Sequence, residues 1–283
     1  MPRPRPFSFP PWRGEIAAEC DRPEIRGLLA GLDARLAGPD AEVLHEGRNT
    51  VTALRLMAAD GFVREVAVKD FRLRGLTRLK TVFAASKARR AWIGARALLD
   101  AGLLTAAPIA YGEIRRRGLV LRAVFLAERL TEGTEIRALF RDRPPDALRP
   151  ILAGLARALR HGHDRGIVHR DLSDGNVFVL GAVSAGAEAA GREGGGEFRF
   201  YFLDTNRVRT MRRVGRFGRA KNLIRLGVPQ DLRLDFLKAY AGEARLRPSF
   251  LFFYARSKAF FEGWLRIKKK MRLRRWARRL KIQ

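Results

Sequence analysis

The sequence predicts an α+β fold with two lobes, a small β-rich N-terminal lobe and a larger helical C-terminal lobe. Three short segments between residues 41 and 68 have the composition of strands. Residues 146–163 carry apolar side chains at 148, 151, 152, 155, 156 and 159, the spacing of a buried helical face. A chain of 283 residues that is 47% hydrophobic can form one such pair of lobes, with little left for a further domain.

The predicted elements follow in order along the chain. Residues 1–13 are interpreted as an extended, loosely docked arm of Pro and Arg with three aromatic residues. A helix from Glu24 to Leu36 stops before Gly38-Pro39. Strands are predicted at Ala41–Leu44, Val51–Met57, Phe62–Val68, Tyr111–Ile114 and Leu119–Leu126, with a hairpin turn at Asp60-Gly61. Helices are predicted at Ser86–Ala101, Asp146–His163, Phe217–Leu226 and Leu232–Tyr240, and Gly181–Glu197 is interpreted as an enlarged Gly- and Ala-rich loop.

These elements predict four parts of the chain. Residues 1–40 form the N-terminal arm and helix, and residues 41–127 form the N-terminal lobe. Residues 128–255 form the C-terminal lobe, and residues 256–283 form a basic C-terminal tail.

One ten-residue run has the composition of a catalytic loop. Ile167 to Asn176 reads Ile-Val-His-Arg-Asp-Leu-Ser-Asp-Gly-Asn. An Asp followed five residues later by an Asn, with His-Arg in front, is typical of protein-kinase-like phosphotransferases. In such a loop Asp171 would accept the proton of an attacking hydroxyl, and Asn176 would hold a metal ion that bridges the ATP phosphates.

Two further ionic residues occur in the order that this chemistry requires. Val66-Ala67-Val68-Lys69 is a strand-like run that ends in a lysine able to pair with the α- and β-phosphates. Phe198 to Asp204 is an aromatic, strand-like run that ends in a carboxylate able to hold the phosphate-bound metal. Each residue alone also fits a structural role, such as a buried lysine or a capping aspartate. Together they predict a protein-kinase-like fold that uses ATP and Mg²⁺.

The first hairpin lies where a phosphate-covering loop belongs. Gly47, Arg48 and Asn49 are its candidate nucleotide-binding residues. Because the hairpin holds one glycine, its backbone cradles phosphate less well than a Gly-x-Gly-x-x-Gly loop, and an ordinary hairpin turn is the alternative.

A second departure from the protein-kinase pattern concerns the helix after Lys69, where protein kinases carry a Glu that pairs with the lysine. No Glu occurs between Glu65 and Glu113.

Several runs resemble the lipopolysaccharide core kinases, the Kdo and heptose kinases. They are Ser86–Trp92, Gly102–Glu113, His169–Asn176 and Leu203–Arg207. The resemblance covers about Glu46 to Tyr240 and implies ATP- and Mg²⁺-dependent phosphorylation of a sugar hydroxyl in the inner core of lipopolysaccharide. It further implies that the enzyme works at the cytoplasmic face of the inner membrane.

The resemblance also implies roles for individual residues. Asp171 is the base, Asn176 and Asp204 are the metal ligands, and Lys69 pairs with the phosphates. The family usually has Ser-Pro-Gly-Asn where this chain has Ser173-Asp174-Gly175-Asn176, a mild change because Asp suits a turn.

Composition restricts the cell compartment and the partners. The net charge of +28, from 57 Lys and Arg against 29 Asp and Glu, favours polyanionic partners. Residues 256–281 hold twelve basic residues and one acid, Glu262, so we expect this tail to bind an anionic membrane surface. The apolar residues of that tail fall on two nearly opposite sides of a helix, so one straight amphipathic helix does not fit the pattern. We expect Trp264, Ile267 and Met271 to pack on the protein while Leu273, Trp276 and Leu280 face the membrane.

Other classes of protein are disfavoured. The single Cys20 excludes an internal disulfide framework and a cysteine-rich zinc site. No apolar run approaches the roughly 20 residues that span a bilayer, and the N-terminus lacks the apolar segment of a secretory signal. We therefore expect a cytoplasmic protein, peripheral on the inner membrane, that binds an anionic glycolipid and no specific nucleic acid.

Two alternative functions stay open at this point. An atypical protein kinase would also fit the set of Lys69, Asp171, Asn176 and Asp204, although no Ala-Pro-Glu element follows Asp204. A catalytically impaired pseudokinase, acting as a basic protein that binds membranes or polyanions, would explain the missing helix Glu.

Overall fold

The structure, a computed structural model, describes residues 1–47, 49–57, 63–73, 76–181, 198–242 and 246–279. Of residues 76, 77, 80, 269 and 272–279 it describes the backbone alone. The chain divides into two compact units. Unit 1 comprises Met1–Thr134 with Phe178–Thr210, and unit 2 comprises Glu135–Val177 with Met211–Gln283. The first is β-rich and the second is mainly helical, so the predicted α+β class is confirmed.

Unit 1 is built on an antiparallel sheet of seven strands among the described residues, in the order β1-β2-β6-β7-β5-β4-β3. The strands are β1 (Arg5–Phe9), β2 (Trp12–Ile16), β3 (Glu42–Glu46), β4 (Asn49–Met57), β5 (Val63–Arg72), β6 (Pro108–Arg116) and β7 (Leu119–Glu128). Shorter strands are β8 (Thr134–Glu135), β10 (Val177–Leu180), β11 (Arg199–Phe202) and β12 (Val208–Thr210). The five strands predicted for this lobe are all present, each with slightly different ends.

The N-terminal residues are part of this sheet, and the prediction of a loosely docked arm is wrong. β1 pairs with β2, and β2 pairs with β6. The Trp12 side chain is only 1% exposed and belongs to the core. Sequence patterns within residues 1–13 do not reveal the pairing because the partner strand begins at Pro108, about a hundred residues later.

Helices cover both faces of the sheet. On one face α1 (Pro23–Ala30) and α2 (Leu32–Ala37) pack against a core that includes Trp12 and Val68. The single predicted helix over 24–36 is therefore two helices, separated at Gly31. On the other face lies α4 (Lys87–Asp100), which buries Trp92 against Phe71 and Phe125. A four-residue helix, α3 (Leu76–Leu79), precedes α4.

Unit 2 is formed by helices around the strand β9 (Ile167–His169). Its helices are α5 (Ile136–Asp142), α6 (Pro145–Asp164), α7 (Arg216–Leu223), α8 (Arg233–Ala241) and α9 (Pro248–Arg279). α6 packs on α8 and β9, and α7 packs on β9 and α9. The apolar side chains predicted to form the buried face of α6 are all buried. That face supports the segment that leads into the candidate catalytic loop.

α9 is one continuous helix of 32 residues, which the sequence pattern did not predict. Trp264, Ile267 and Met271 are exposed, so the prediction that they pack on the protein is wrong. Among the described residues no helix combines the length and the apolar character needed to cross a bilayer.

Some predictions fall outside the described residues. These are the turn at Asp60-Gly61, the candidate phosphate contact Arg48, most of the loop at 181–197, and the side chains of Leu273, Trp276 and Leu280. The predicted domain boundaries stay a prediction.

Candidate active site

Lys69 and Asp204 form an ion pair in unit 1. Lys69 lies on β5, opposite Val51 of β4 and Phe125 of β7. Residues paired across strands share a face of the sheet, so Lys69 lies on the face that α4 covers. Its Nζ donates to Oδ1 of Asp204 at 2.6 Å, and the two side chains are 24% and 27% exposed. The pair is therefore partly shielded but open to a small polar ligand.

The backbone of Asp204 is left-handed, with φ 55° and ψ 50°. This conformation is costly for residues other than glycine, although Asp and Asn tolerate it better than most. Contacts on either side hold the segment in place. Before it, Thr105 Oγ1 donates to the carbonyl of Phe202 at 2.7 Å, and after it, Thr205 Oγ1 donates to the carbonyl of Ala91 at 2.8 Å.

A close approach between α4 and this segment depends on Gly94. A Cβ atom on Gly94 would lie 2.1 Å from the carbonyl oxygen of Thr205, which is shorter than any real contact. α4 therefore supports the turn after Asp204 through its backbone. In protein kinases the equivalent support for the lysine is a helix Glu, which this chain lacks.

Asp204 itself is the carboxylate that Lys69 contacts. The nearest glutamate on each side of Lys69 in sequence has another partner, since Glu65 pairs with Arg55 and Arg129, and Glu113 pairs with Arg115. The adjacent Asp70 pairs with Arg122. Asn206 Nδ2 also donates to Oδ1 of Asp204 at 2.6 Å. In the described part of the chain Oδ2 of Asp204 accepts no hydrogen bond, so it is available to a cation.

The candidate hairpin residues lie on β3, β4 and the bend between them. Gly47 is at the exposed bend, and Asn49 begins β4 opposite Phe71. Asn49 is two residues before Val51, the direct neighbour of Lys69, so both asparagine and lysine lie on one face of the sheet. Oδ1 of Asn49 is buried without a hydrogen-bond partner among the described residues.

Three arginines form a basic cluster that the sequence analysis did not single out. Burial, together with the charges of Arg209 and Arg207, lowers the pKa of Arg90 on α4. Like charges at short range repel one another, so this cluster favours an anionic ligand that would neutralise it. Nothing in the sequence pattern distinguishes these residues, because the chain holds 57 basic residues.

In unit 2 Asp171 and Asn176 are fixed to each other by the loop that carries them. Asn176 Nδ2 donates to the carbonyl of Asp171 at 2.8 Å, and the amide of Asn176 donates to the carbonyl of Ser173 at 2.9 Å. Because the amide nitrogen of the side chain is used, the acceptor Oδ1 is the atom left for a metal ion. The hydrogen bond from the Asn176 amide to Ser173 closes the short 3₁₀ helix Asp174–Asn176, whose N-cap residue is Ser173.

Asp171 has an ionic partner that sequence reasoning missed. Arg225 donates from its guanidinium to Oδ1 of Asp171 at 2.7 Å. The segment around Arg225 is held in turn by the buried Lys258 of α9, whose Nζ donates to the carbonyls of Ile224 and Leu226. This arrangement fixes the direction of the carboxylate. Arg225 lies 54 positions after Asp171, and Lys258 lies 33 positions after Arg225, so no local sequence pattern connects the three residues.

Asp174 takes part in a second ion pair at this loop. The guanidinium of Arg137 on α5 donates to both of its carboxylate oxygens, at 3.2 and 3.3 Å. A bidentate pair of this kind restrains the loop between Asp171 and Asn176.

A buried chain of hydrogen bonds lies behind the loop. Asn222 of α7 donates to the carbonyl of His169 at 2.7 Å and accepts from Nε2 of His163 at 2.9 Å. Nδ1 of His163 then accepts from the hydroxyl of Tyr240 at 2.6 Å. Burial lowers the pKa of His163 to about 4, so the imidazole is neutral at pH 7. His163, the last residue of the helix predicted at Asp146–His163, is a buried structural residue, 2% exposed.

The structure thus brings together two pairs, Lys69 with Asp204 and Asp171 with Asn176. The first pair belongs to unit 1 and the second to unit 2. Within the described residues no group of three His, Cys, Asp or Glu side chains forms a metal site. A kinase needs no such group, because Mg²⁺ is held by one or two protein oxygens together with substrate phosphates.

Comparison with known proteins identifies the family. The model of the lipopolysaccharide kinase (Kdo/WaaP) family matches residues 73–236, which is more than half of the chain. The chain belongs to this family. Membership confirms the predicted kinase activity and the family resemblance of the sequence.

A solved structure, WaaP in complex with acyl carrier protein, is similar in fold. The two chains align with a TM-score of 0.56 at 22% sequence identity, over 88% of this chain and 97% of that chain. This similarity supports the protein-kinase-like fold. No protein of curated function matches the chain.

The lowered pKa of His163 predicts how stability depends on pH. Between pH 6.5 and 4 the unfolded chain binds a proton that folded His163 does not, so the free energy of unfolding falls as the pH falls. At low pH this costs on the order of 3 kcal/mol. Urea denaturation at pH 7, 5.5 and 4.5 should therefore show a shallower pH dependence for His163→Gln than for the wild type.

The matched control is His161→Gln, because His161 lies on the same helix but is exposed. It should keep the pH dependence of the wild type. Equal slopes for His163→Gln and wild type would contradict the buried neutral imidazole.

Proposed function

We propose that this kinase transfers the γ-phosphate of ATP to a sugar hydroxyl, on Kdo or heptose, of the lipopolysaccharide inner core. The observation that carries the proposal is the Lys69–Asp204 pair, whose cation and free carboxylate oxygen suit a Mg²⁺-bound nucleotide. Family membership supports the acceptor class.

The proposed roles follow from the atoms that each residue leaves available. Lys69 would pair with the α- and β-phosphates, while Gly47 and Asn49 would contact the nucleotide. Arg48, the third residue predicted from sequence for this contact, lies outside the described residues and is proposed on its charge alone. Asp204 and Asn176 would hold Mg²⁺ through a carboxylate oxygen and an amide oxygen, which are ligands that Mg²⁺ accepts. Once bound, the ion would neutralise charge on the phosphates.

Asp171 is the proposed proton acceptor. The acceptor hydroxyl oxygen forms a bond to the γ-phosphorus, the bond from that phosphorus to the β–γ bridging oxygen breaks, and ADP leaves. The hydroxyl proton passes to the carboxylate of Asp171. Since phosphoryl transfer depends mainly on positioning and charge neutralisation, the contact from Arg225 contributes by orienting this carboxylate.

Basic residues of unit 1 would recognise the anionic acceptor. Burial and the charges of Arg209 and Arg207 lower the pKa of Arg90, so a nearby anion would favour its charged form. Kdo carries a carboxylate, and inner-core sugars carry phosphates, so an acceptor of this kind would neutralise the cluster.

α9 is the proposed contact with the inner face of the inner membrane. Phe260, Trp264, Ile267 and Met271 are exposed and recur at intervals of four, three and four residues, so they form one stripe along the helix. Exposed Arg266, Lys268 and Lys270 flank this α9 stripe. Shallow insertion of the stripe with basic residues beside it is the pattern of a helix on an anionic lipid surface.

An assay of ATP consumption tests the reaction and its base. Purified protein should hydrolyse or transfer phosphate fastest with delipidated lipopolysaccharide core and should gain nothing from casein. Asp171→Ala should lower kcat at least about 10²-fold, because general-base catalysis contributes about 10² to 10⁴. Asp146→Ala, a change at an exposed aspartate of α6, is the control.

Turnover of the Asp171→Ala protein at the wild-type rate would refute the assignment of Asp171 as the proton acceptor. Turnover with casein alone would favour the protein-kinase alternative, and no turnover with either acceptor would favour the pseudokinase.

Co-sedimentation with vesicles tests the membrane contact. The Trp264→Ser and Ile267→Ser double variant should bind anionic phosphatidylglycerol vesicles at least about tenfold more weakly, because each buried apolar side chain is worth about 1.5–3 kcal/mol. The control is Phe252→Ser, which removes an exposed aromatic from the same helix but outside the stripe. Equal binding by the double variant and this control would contradict insertion of the stripe.

A further inference from the structure

A second basic site lies at the start of α7 in unit 2, apart from the residues assigned to phosphate transfer. A pocket of about 690 Å³ opens there. Five arginines line it, namely Arg160, Arg213, Arg216, Arg219 and Arg247. Arg216 begins α7, whereas Asn222, which binds the loop behind Asp171, lies six residues later, about 9 Å along the helix axis.

The positive charge of this pocket is largely uncompensated. Asp164 pairs with Arg219 at 2.6 Å and with Arg160 at 3.7 Å. In the ranges that the structure describes, no carboxylate pairs with the other three arginines. Five guanidinium groups thus share one carboxylate, and the repulsion between them would be relieved by a bound anion.

Two of the guanidinium groups are held in place by the backbone. Arg219 Nε donates to the carbonyl of Val214 at 2.9 Å, and the guanidinium of Arg160 donates to the carbonyl of Ala241. The first turn of α7 adds backbone N–H groups without intrahelical acceptors, and its N-cap residue, Gly215, provides no side chain to satisfy them. Fixed arginines and free N–H groups are together the donors that bind phosphate.

Two aromatic rings also line the pocket. The rings of Tyr240 and Phe250 are nearly parallel, with their centroids 6.4 Å apart. Both residues line the pocket. A ligand that carries phosphate on an apolar or ring-shaped body would contact the arginines and the rings at once.

We propose that this pocket is a second anion site, which binds the phosphate or pyrophosphate group of a ligand distinct from the ATP being consumed. This phosphate group belongs either to a soluble compound or to a lipid at a membrane surface, and the arginines would bind it in the same way in both cases. The proposed site contains neither Lys69 nor Asp171, so a test of this site is independent of the residues assigned to phosphate transfer.

Calorimetric titration with inorganic pyrophosphate tests the site. Because pyrophosphate would also bind beside Lys69, the titrations use the full chain with Lys69→Met. In that background, adding Arg213→Ser and Arg216→Ser should weaken binding at least about tenfold, since losing one charge-assisted hydrogen bond corresponds to roughly that factor. Both arginines are exposed, so the fold should survive, and circular dichroism checks this.

The matched control is Arg212→Ser in the same background. Arg212 is exposed and adjacent to Arg213 but does not line the pocket. It should bind pyrophosphate as the Lys69→Met protein does.

Vesicles of phosphatidylcholine with phosphatidic acid distinguish the source of the phosphate. A loss of vesicle binding in the double serine variant, relative to Arg212→Ser, indicates a lipid phosphate, and a loss confined to pyrophosphate indicates a soluble ligand. If the double variant and Arg212→Ser bind both probes equally, the proposal is overturned.

Discussion

The contact between Lys69 and Asp204 is the interaction on which the proposed chemistry depends. Protein kinases pair this lysine with a helix glutamate, but the helix α4 of this chain carries no glutamate, and Asp204 is the carboxylate that contacts Lys69. The chain solves this by holding Asp204 in a left-handed backbone conformation, with a cost of about 1 kcal/mol or more. Thr105, Thr205 and the close approach at Gly94 stabilise that conformation. The same carboxylate keeps its second oxygen available, so one residue can serve both the lysine and a metal ion.

Unit 2 uses a different means to fix its catalytic loop. The loop is held from behind by the neutral His163 and by Asn222, and from the side by Arg225 and Arg137. Arg225 is itself placed by Lys258, which reaches the carbonyls on both sides of it. α9 therefore has two tasks in this account. Its first half supports the loop, and its second half presents the stripe proposed to contact lipid.

Local patterns predicted much of this from the sequence. The strand that carries Lys69, the buried face of α6 and the loop from Ile167 to Asn176 each depend on residues close together in the chain, so their spacing alone indicates them. Asp174 was expected to suit a turn, and its pairing with Arg137 adds a restraint that no spacing rule contains.

Long-range contacts account for the errors and omissions. β1 and β2 were mistaken for a loose arm because β6, the strand that pairs with β2 and joins both to the sheet, is about a hundred residues away. Arg225 was missed because it is one of 57 basic residues, and only the folded chain brings it to Asp171. For α9, helical spacing shows which apolar residues share a side but not whether that side is covered by protein, so the exposed side was assigned wrongly.

The most direct measurement is the affinity for ATP, with and without Mg²⁺, of the wild type, Asp204→Asn and Asp40→Asn. Asp40 is an exposed aspartate of the same unit and serves as the control. We expect Mg²⁺ to strengthen ATP binding to the wild type and to Asp40→Asn. In Asp204→Asn this strengthening should be at least about tenfold smaller, equivalent to about 1.4 kcal/mol. An undiminished Mg²⁺-dependent affinity in Asp204→Asn would contradict the role of Asp204 and with it the central claim.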